Sequence, residues 1–155
     1  MVRLNYRKAF PEGFRALANL EASLHDSPLE PRLLELVKIR ASQINGCAFC
    51  LAMHARDARA KGETQTRLDT LVAWRETSFF SARERAALAW CEALTELPRE
   101  GAPHGLYGAL ESEFTPEEVA ALTFAIVTIN AWNRLAVAFQ SDVTTLEGLE
   151  LPQGD

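Results

Sequence analysis

The chain carries the same helix-start device twice: Ser81 with Glu84 in SARERAALAWCEALTEL, and Thr115 with Glu118 in TPEEVAALTFAIVTINAWNRLAVAF. In such a box the hydroxyl accepts from the backbone N–H three residues on, while the glutamate reaches back to the cap's own N–H. Two orphan donors of the first turn are then satisfied by the segment itself. Pro116 adds to the signal, because at the first helical position its missing N–H leaves no helical bond unmade. The apolar residues that follow recur at three- and four-residue spacing, and no stretch shows the sustained two-residue alternation of a strand. These features predict an all-α fold.

The remaining segments are punctuated in the same way. Pro11 opens a first helix over EGFRALANLEASL, and a second runs from Pro28 or Pro31 to Ser42, where Asn45 and Gly46 break the pattern. A third helix is expected from about Cys47 to Gly62, a position suited to a C-terminal glycine. TQTRLDTLVAW reads as a short fourth. PREGAPHGLYGALESEF, richer in Gly and Pro, is expected to hold only a helical turn or two. With 155 residues and no linker or repeat, the chain reads as one domain over 1–155. The weakly periodic tail at 141–155 is expected to be extended or mobile.

Charge and hydropathy narrow the function classes. The formal net charge of -5 opposes a nucleic-acid partner, since such domains concentrate Lys and Arg to neutralise phosphates. The most apolar run, Val119 to Ile129, falls well short of the roughly 20 residues of a membrane span and reads as a buried helix. The N-terminus has no apolar signal-peptide core, so a cytoplasmic protein without membrane attachment is expected.

In that compartment three cysteines do not suggest a disulfide framework, and a close pair points to redox or metal chemistry. The pair lies in NGCAFCLAMH, residues 45–54. On a helix, Cys47, Cys50 and His54 share one face at spacings of three and four, so the two thiols and the imidazole can meet. Cys47, first in its helix, lies near free backbone N–H groups and the positive end of the helix dipole, which favour a thiolate. Cys50 is one turn from His54, which can take its proton. Local geometry favours ionisation of both sulfurs and does not say which one attacks. Glu35 shares a face with Ile39 and Ser42; taken alone it is a solvated charge, but Leu34, Leu36 and Ile39 make its helix apolar around most of its circumference. If buried, it needs a partner. Asn130, Asn133 and Arg134 interrupt an apolar helix and make the same demand.

The pattern Glu35, eleven residues, Cys47, two residues, Cys50, three residues, His54 resembles the signature of the AhpD-like alkylhydroperoxidases of the carboxymuconolactone decarboxylase superfamily. The resemblance is most specific over about Leu33 to Gly62 and extends over most of the remaining chain. It implies an all-helical bundle assembled as a homotrimer or hexamer, and a thiol-dependent peroxidase needing no cofactor or bound metal. In that reading Cys50 attacks the peroxide, Cys47 resolves the product to a disulfide, and His54 with Glu35 relays the proton. An external dithiol, from a lipoylated or thioredoxin-like protein, restores the thiols. Founding members carry a second histidine directly before the second cysteine, where this chain has Phe49. Two other readings stand beside it: a redox switch or disulfide oxidoreductase with little peroxide turnover, and a structural zinc module. Zinc needs four ligands, and the other candidates, His25, His104 and Cys91, form no second paired motif. Cys91 reads as a small buried apolar residue.

Overall fold

A computed structural model describes residues 2–149. Those residues form nine α-helices and no strand: α1 (Tyr6–Ala9), α2 (Pro11–His25), α3 (Pro31–Asn45), α4 (Ala48–Ala60), α5 (Gln65–Thr70), α6 (Ala82–Thr95), α7 (Leu97–Glu100), α8 (His104–Glu113) and α9 (Pro116–Phe139). Short 3-10 turns follow α5 (Leu71–Glu76) and α9 (Val143–Thr145). Both capping boxes form as the sequence requires. Their glutamates are used a second time: Arg67 pairs with Glu84 and Arg83 with Glu118. Each ion pair thus ties a helix start to another element.

Helix α3 is the hub. One side of it packs Leu33, Val37 and Ala41 against Leu122, Ile126 and Ile129 of α9 and Cys91 of α6. Its other side packs Leu36 and Ile39 against Ala58, Leu68, Leu71, Trp74 and Leu88. Each leucine or isoleucine so buried contributes about 1.5–3 kcal/mol. A helix enclosed on two sides leaves little of its circumference to water. Glu35, Lys38 and Ser42 are all buried, and each must find its partner inside the fold.

Three differences from the sequence expectation have physical causes. Helix α3 runs three residues past Ser42, to Asn45, because Gly46 adopts the left-handed conformation (φ 65°) and closes a Schellman motif: Gly46 N–H donates to Gln43 O and Cys47 N–H to Ser42 O. The predicted fourth helix divides into α5 and a 3-10 turn, with a kink at Ala73. The segment between α6 and α9 is more helical than its composition suggests. Helix α8 has 10 residues, and it buries Leu110 and sets Tyr107 edge-on against Trp90 of α6 at 6.0 Å. Tertiary packing outweighs its weak local propensity.

Helix α9 is long and apolar enough by composition to cross a membrane. Here it packs on α2, α3, α4, α6 and α8. Residues 141–149 turn back so that Arg56 of α4 donates to the Glu147 carbonyl at 2.5 Å. The last six residues of the expected tail lie outside the described part of the chain.

Candidate active site

Cys47 belongs to two elements at once. Its N–H completes the closure of α3, and its sulfur caps α4 by accepting from the Cys50 N–H at 3.3 Å. Cys47 and Cys50 are joined as a disulfide, with Cα atoms 5.4 Å apart. Cys47 and Cys50 are 1% and 2% exposed, yet their surroundings differ. Cys50 lines a cavity of about 300 Å³, whereas Cys47 lies behind it and does not reach that wall.

One turn beyond Cys50, His54 lines the same cavity. Its Nδ1 lies 2.8 Å from Oε2 of Glu35, which reaches across from α3. Oε1 of that carboxylate accepts from Nζ of Lys61, at the end of α4. The charge of Lys38, one turn along α3 from Glu35, is neutralised in turn by Glu21 of α2. Burial alone would raise the Glu35 carboxyl; the hydrogen bond and charge of His54, then the Lys61 bond and the Lys38 charge, overcome it and bring the pKa from 4.5 down to about 2. Glu35 is therefore an acceptor at any ordinary pH. A carboxylate can only accept, so Nδ1 of His54 is the donor, and in the neutral ring the lone pair lies on Nε2.

Thus all four residues singled out in the sequence, Glu35, Cys47, Cys50 and His54, come together at one place. The fold adds what the motif did not name. Phe49 and Met53 of α4, Phe14 of α2 and Trp132 of α9 supply apolar walls, and Tyr6 and Arg7 of α1 approach from the N-terminus. Lys61 follows His54 by seven residues and Lys38 follows Glu35 by three. Helical spacing alone places Lys61 on the face of His54 and Lys38 on the face of Glu35. Nothing local marks α1 and α2 as cavity walls, because that depends on how they dock.

Among the described residues, the one group of three or more potential metal ligands within reach of one another is Glu35, His54 and Asp57; it includes neither sulfur. Lys61 and Arg56 already pair with two of its carboxylates. The donor set does not fit a thiolate zinc clamp. Cys91 is fully buried, donates to the Val37 carbonyl at 3.4 Å, and is raised by burial to about 12. His25 and His104 are exposed.

A model of the carboxymuconolactone decarboxylase family matches residues 9–93. The uncharacterized protein YdfG of Bacillus subtilis (strain 168) is 40% identical over 136 residues, or 88% of this chain and 92% of its own. The crystal structure of an Agrobacterium tumefaciens protein of unknown function, a candidate AhpD antioxidant defence protein, matches with a TM-score of 0.89 at 42% identity, covering 92% of this chain and 97% of that one. An uncharacterized peroxidase-related protein of Ralstonia eutropha JMP134 with an alkylhydroperoxidase AhpD core shares the fold, with a TM-score of 0.77 at 21% identity over 88% of this chain and 73% of its own.

Proposed function

The chain belongs to the carboxymuconolactone decarboxylase family and has the AhpD-like fold, and we propose that it is a thiol-dependent peroxidase that reduces alkyl hydroperoxides or hydrogen peroxide. The observation that carries this reading is that Cys50 and His54 open onto one cavity while Glu35 holds the imidazole from behind.

In the reduced enzyme, Nε2 of His54 takes the Cys50 proton, and Glu35 stabilises the imidazolium so formed. General-base help of this kind is worth about 10²–10⁴-fold. The Cys50 thiolate attacks one peroxide oxygen, the O–O bond breaks, and the departing alkoxide or hydroxide takes the proton back from His54. Cys50 is left as a sulfenic acid. Cys47, its thiolate favoured by the α4 N-terminus, displaces that hydroxyl as water and forms the disulfide, so the peroxide has gained the two electrons that the thiols have lost.

A dithiol donor returns the pair to its reduced state by attacking Cys50 from the cavity, with Cys47 leaving as the capped thiolate. The depth of Cys50 supports a donor with a slender arm, such as a lipoylated protein, over a flat thioredoxin-like surface. The homotrimer or hexamer implied by the family resemblance would cover the apolar stripe of Phe124 and Val127 on α9, both more than half exposed.

A coupled hydroperoxide assay with a dithiol donor tests the reading. The wild type should turn over, Cys50→Ser should fall to background, and Cys47→Ser should complete one oxidation and stop as a sulfenic acid. Undiminished turnover in Cys50→Ser would remove the peroxidase. Stoichiometric oxidation without turnover would make the pair a redox switch.

A further inference from the structure

Cys47 is held from outside its own segment. Asn133 of α9, 1% exposed, donates through its side-chain amide to Ser42 Oγ at 2.9 Å and accepts from Asn45 Nδ2 at 2.9 Å. That same Asn45 nitrogen donates to Asn130 Oδ1 at 3.0 Å, and Asn130 is anchored by its own bonds to Thr95 Oγ1 and the Ile126 carbonyl. Ser42 and Asn45 bracket the turn that delivers Cys47: the Ser42 carbonyl accepts the Cys47 N–H, and Asn45 is the last residue before left-handed Gly46. Two asparagines in the middle of an apolar helix thus grip both ends of the turn.

We propose that Asn133, assisted by Asn130, is a positioning residue that fixes Cys47 against Cys50 and so sets the stability of their disulfide. The cost of closing a disulfide is the loss of freedom of two sulfurs that must meet. A turn pinned by buried hydrogen bonds has lost that freedom in advance, in the dithiol as well as in the disulfide. Freeing the turn lowers the effective concentration of one thiol at the other and shifts the couple toward the dithiol. This role rests on the pair being the redox couple described above, but not on peroxide being its oxidant.

The experiment equilibrates the purified full chain with mixtures of reduced and oxidised dithiothreitol, without peroxide, and counts thiols after acid quench and alkylation. In Asn133→Ala the disulfide should open at about a tenfold lower ratio of reduced to oxidised reagent, a change of about 30 mV for a two-electron couple. Asn45→Ala, which removes the other end of the grip at a partly buried position, should shift the constant in the same direction. Should Asn133→Ala not fold, Asn45→Ala carries the test. Thr128→Val, a buried change on α9 whose hydroxyl donates to the Phe124 carbonyl of its own helix, should leave the constant at its wild-type value. An unchanged constant in a folded Asn133 or Asn45 variant overturns the proposal, as does an equal shift in Thr128→Val. Because no peroxide is present, the outcome is independent of whether the protein proves to be a peroxidase.

Discussion

The start of α4 and the middle of α6 each bury cysteine sulfur to nearly the same extent, yet the two places are chemical opposites. At Cys91, burial raises the thiol to about 12, aided by the nearby charge of Glu92 and only weakly opposed by the Thr95 contact. At Cys50, a helix N-terminus, an imidazole one turn away and a cavity surround a sulfur that is just as inaccessible from bulk solvent. Burial therefore does not separate a structural thiol from a working one. What separates them is which charges and donors the burial encloses, and whether an opening leads in.

The largest effect is expected from exchanging the two sulfurs for oxygen in turn. Cys50→Ser should abolish peroxide turnover, whereas Cys91→Ser should keep the wild-type rate per folded molecule in the same coupled assay. Equal loss in both would erase the distinction.

Next comes the relay. His54→Ala should lower the rate of sulfenic acid formation by about 10²–10⁴-fold, the usual worth of a general base. Glu35→Gln should cost less, since it removes only the carboxylate behind the ring; stopped-flow single-turnover kinetics with the reduced protein would reveal the order. A Glu35→Gln variant slower than His54→Ala would mean that the carboxylate acts directly.

A smaller signature lies in acid stability. The Glu35 pKa lies lower in the folded protein (about 2) than its ordinary value of 4.5. The group therefore stabilises the fold fully above about pH 4.5, and that stabilisation drains away as pH falls toward 2. Urea unfolding of the wild type should weaken across that window, and Glu35→Gln should weaken by about one proton's slope less. Identical slopes would mean that the carboxylate is not held as described. Smallest of all, Cys91→Ala should cost about 1 kcal/mol in the same titration, a packing loss with no consequence for chemistry.

How much of this was legible in the sequence depends on how local each feature is. The α6 and α9 starts are written in four consecutive residues, and both formed as read. The start of α4 uses a cysteine where Ser or Asp would normally stand, and its position is fixed by Asn133, 86 residues from Cys47. The sequence shows Asn130 and Asn133 only as interruptions that need partners, because the partner lies on another helix. Glu35 is in a similar position: its residue neighbours make burial plausible and Lys38 follows it by one turn of the same helix, but the His54 and Lys61 bonds that keep it ionised depend on α3 and α4 packing together. Helix α8 is not legible locally, because its glycines weaken the helical signal and the α6 surface that supports it lies elsewhere in the chain.

A count of thiols before and after oxidation is decisive. Reduced protein treated with one equivalent of an organic hydroperoxide should lose two of its three thiols, with mass mapping placing the new bond between Cys47 and Cys50 and leaving Cys91 a free thiol that is alkylated only after unfolding. Retention of all three thiols, or consumption of Cys91 in place of the pair, would contradict the proposed function.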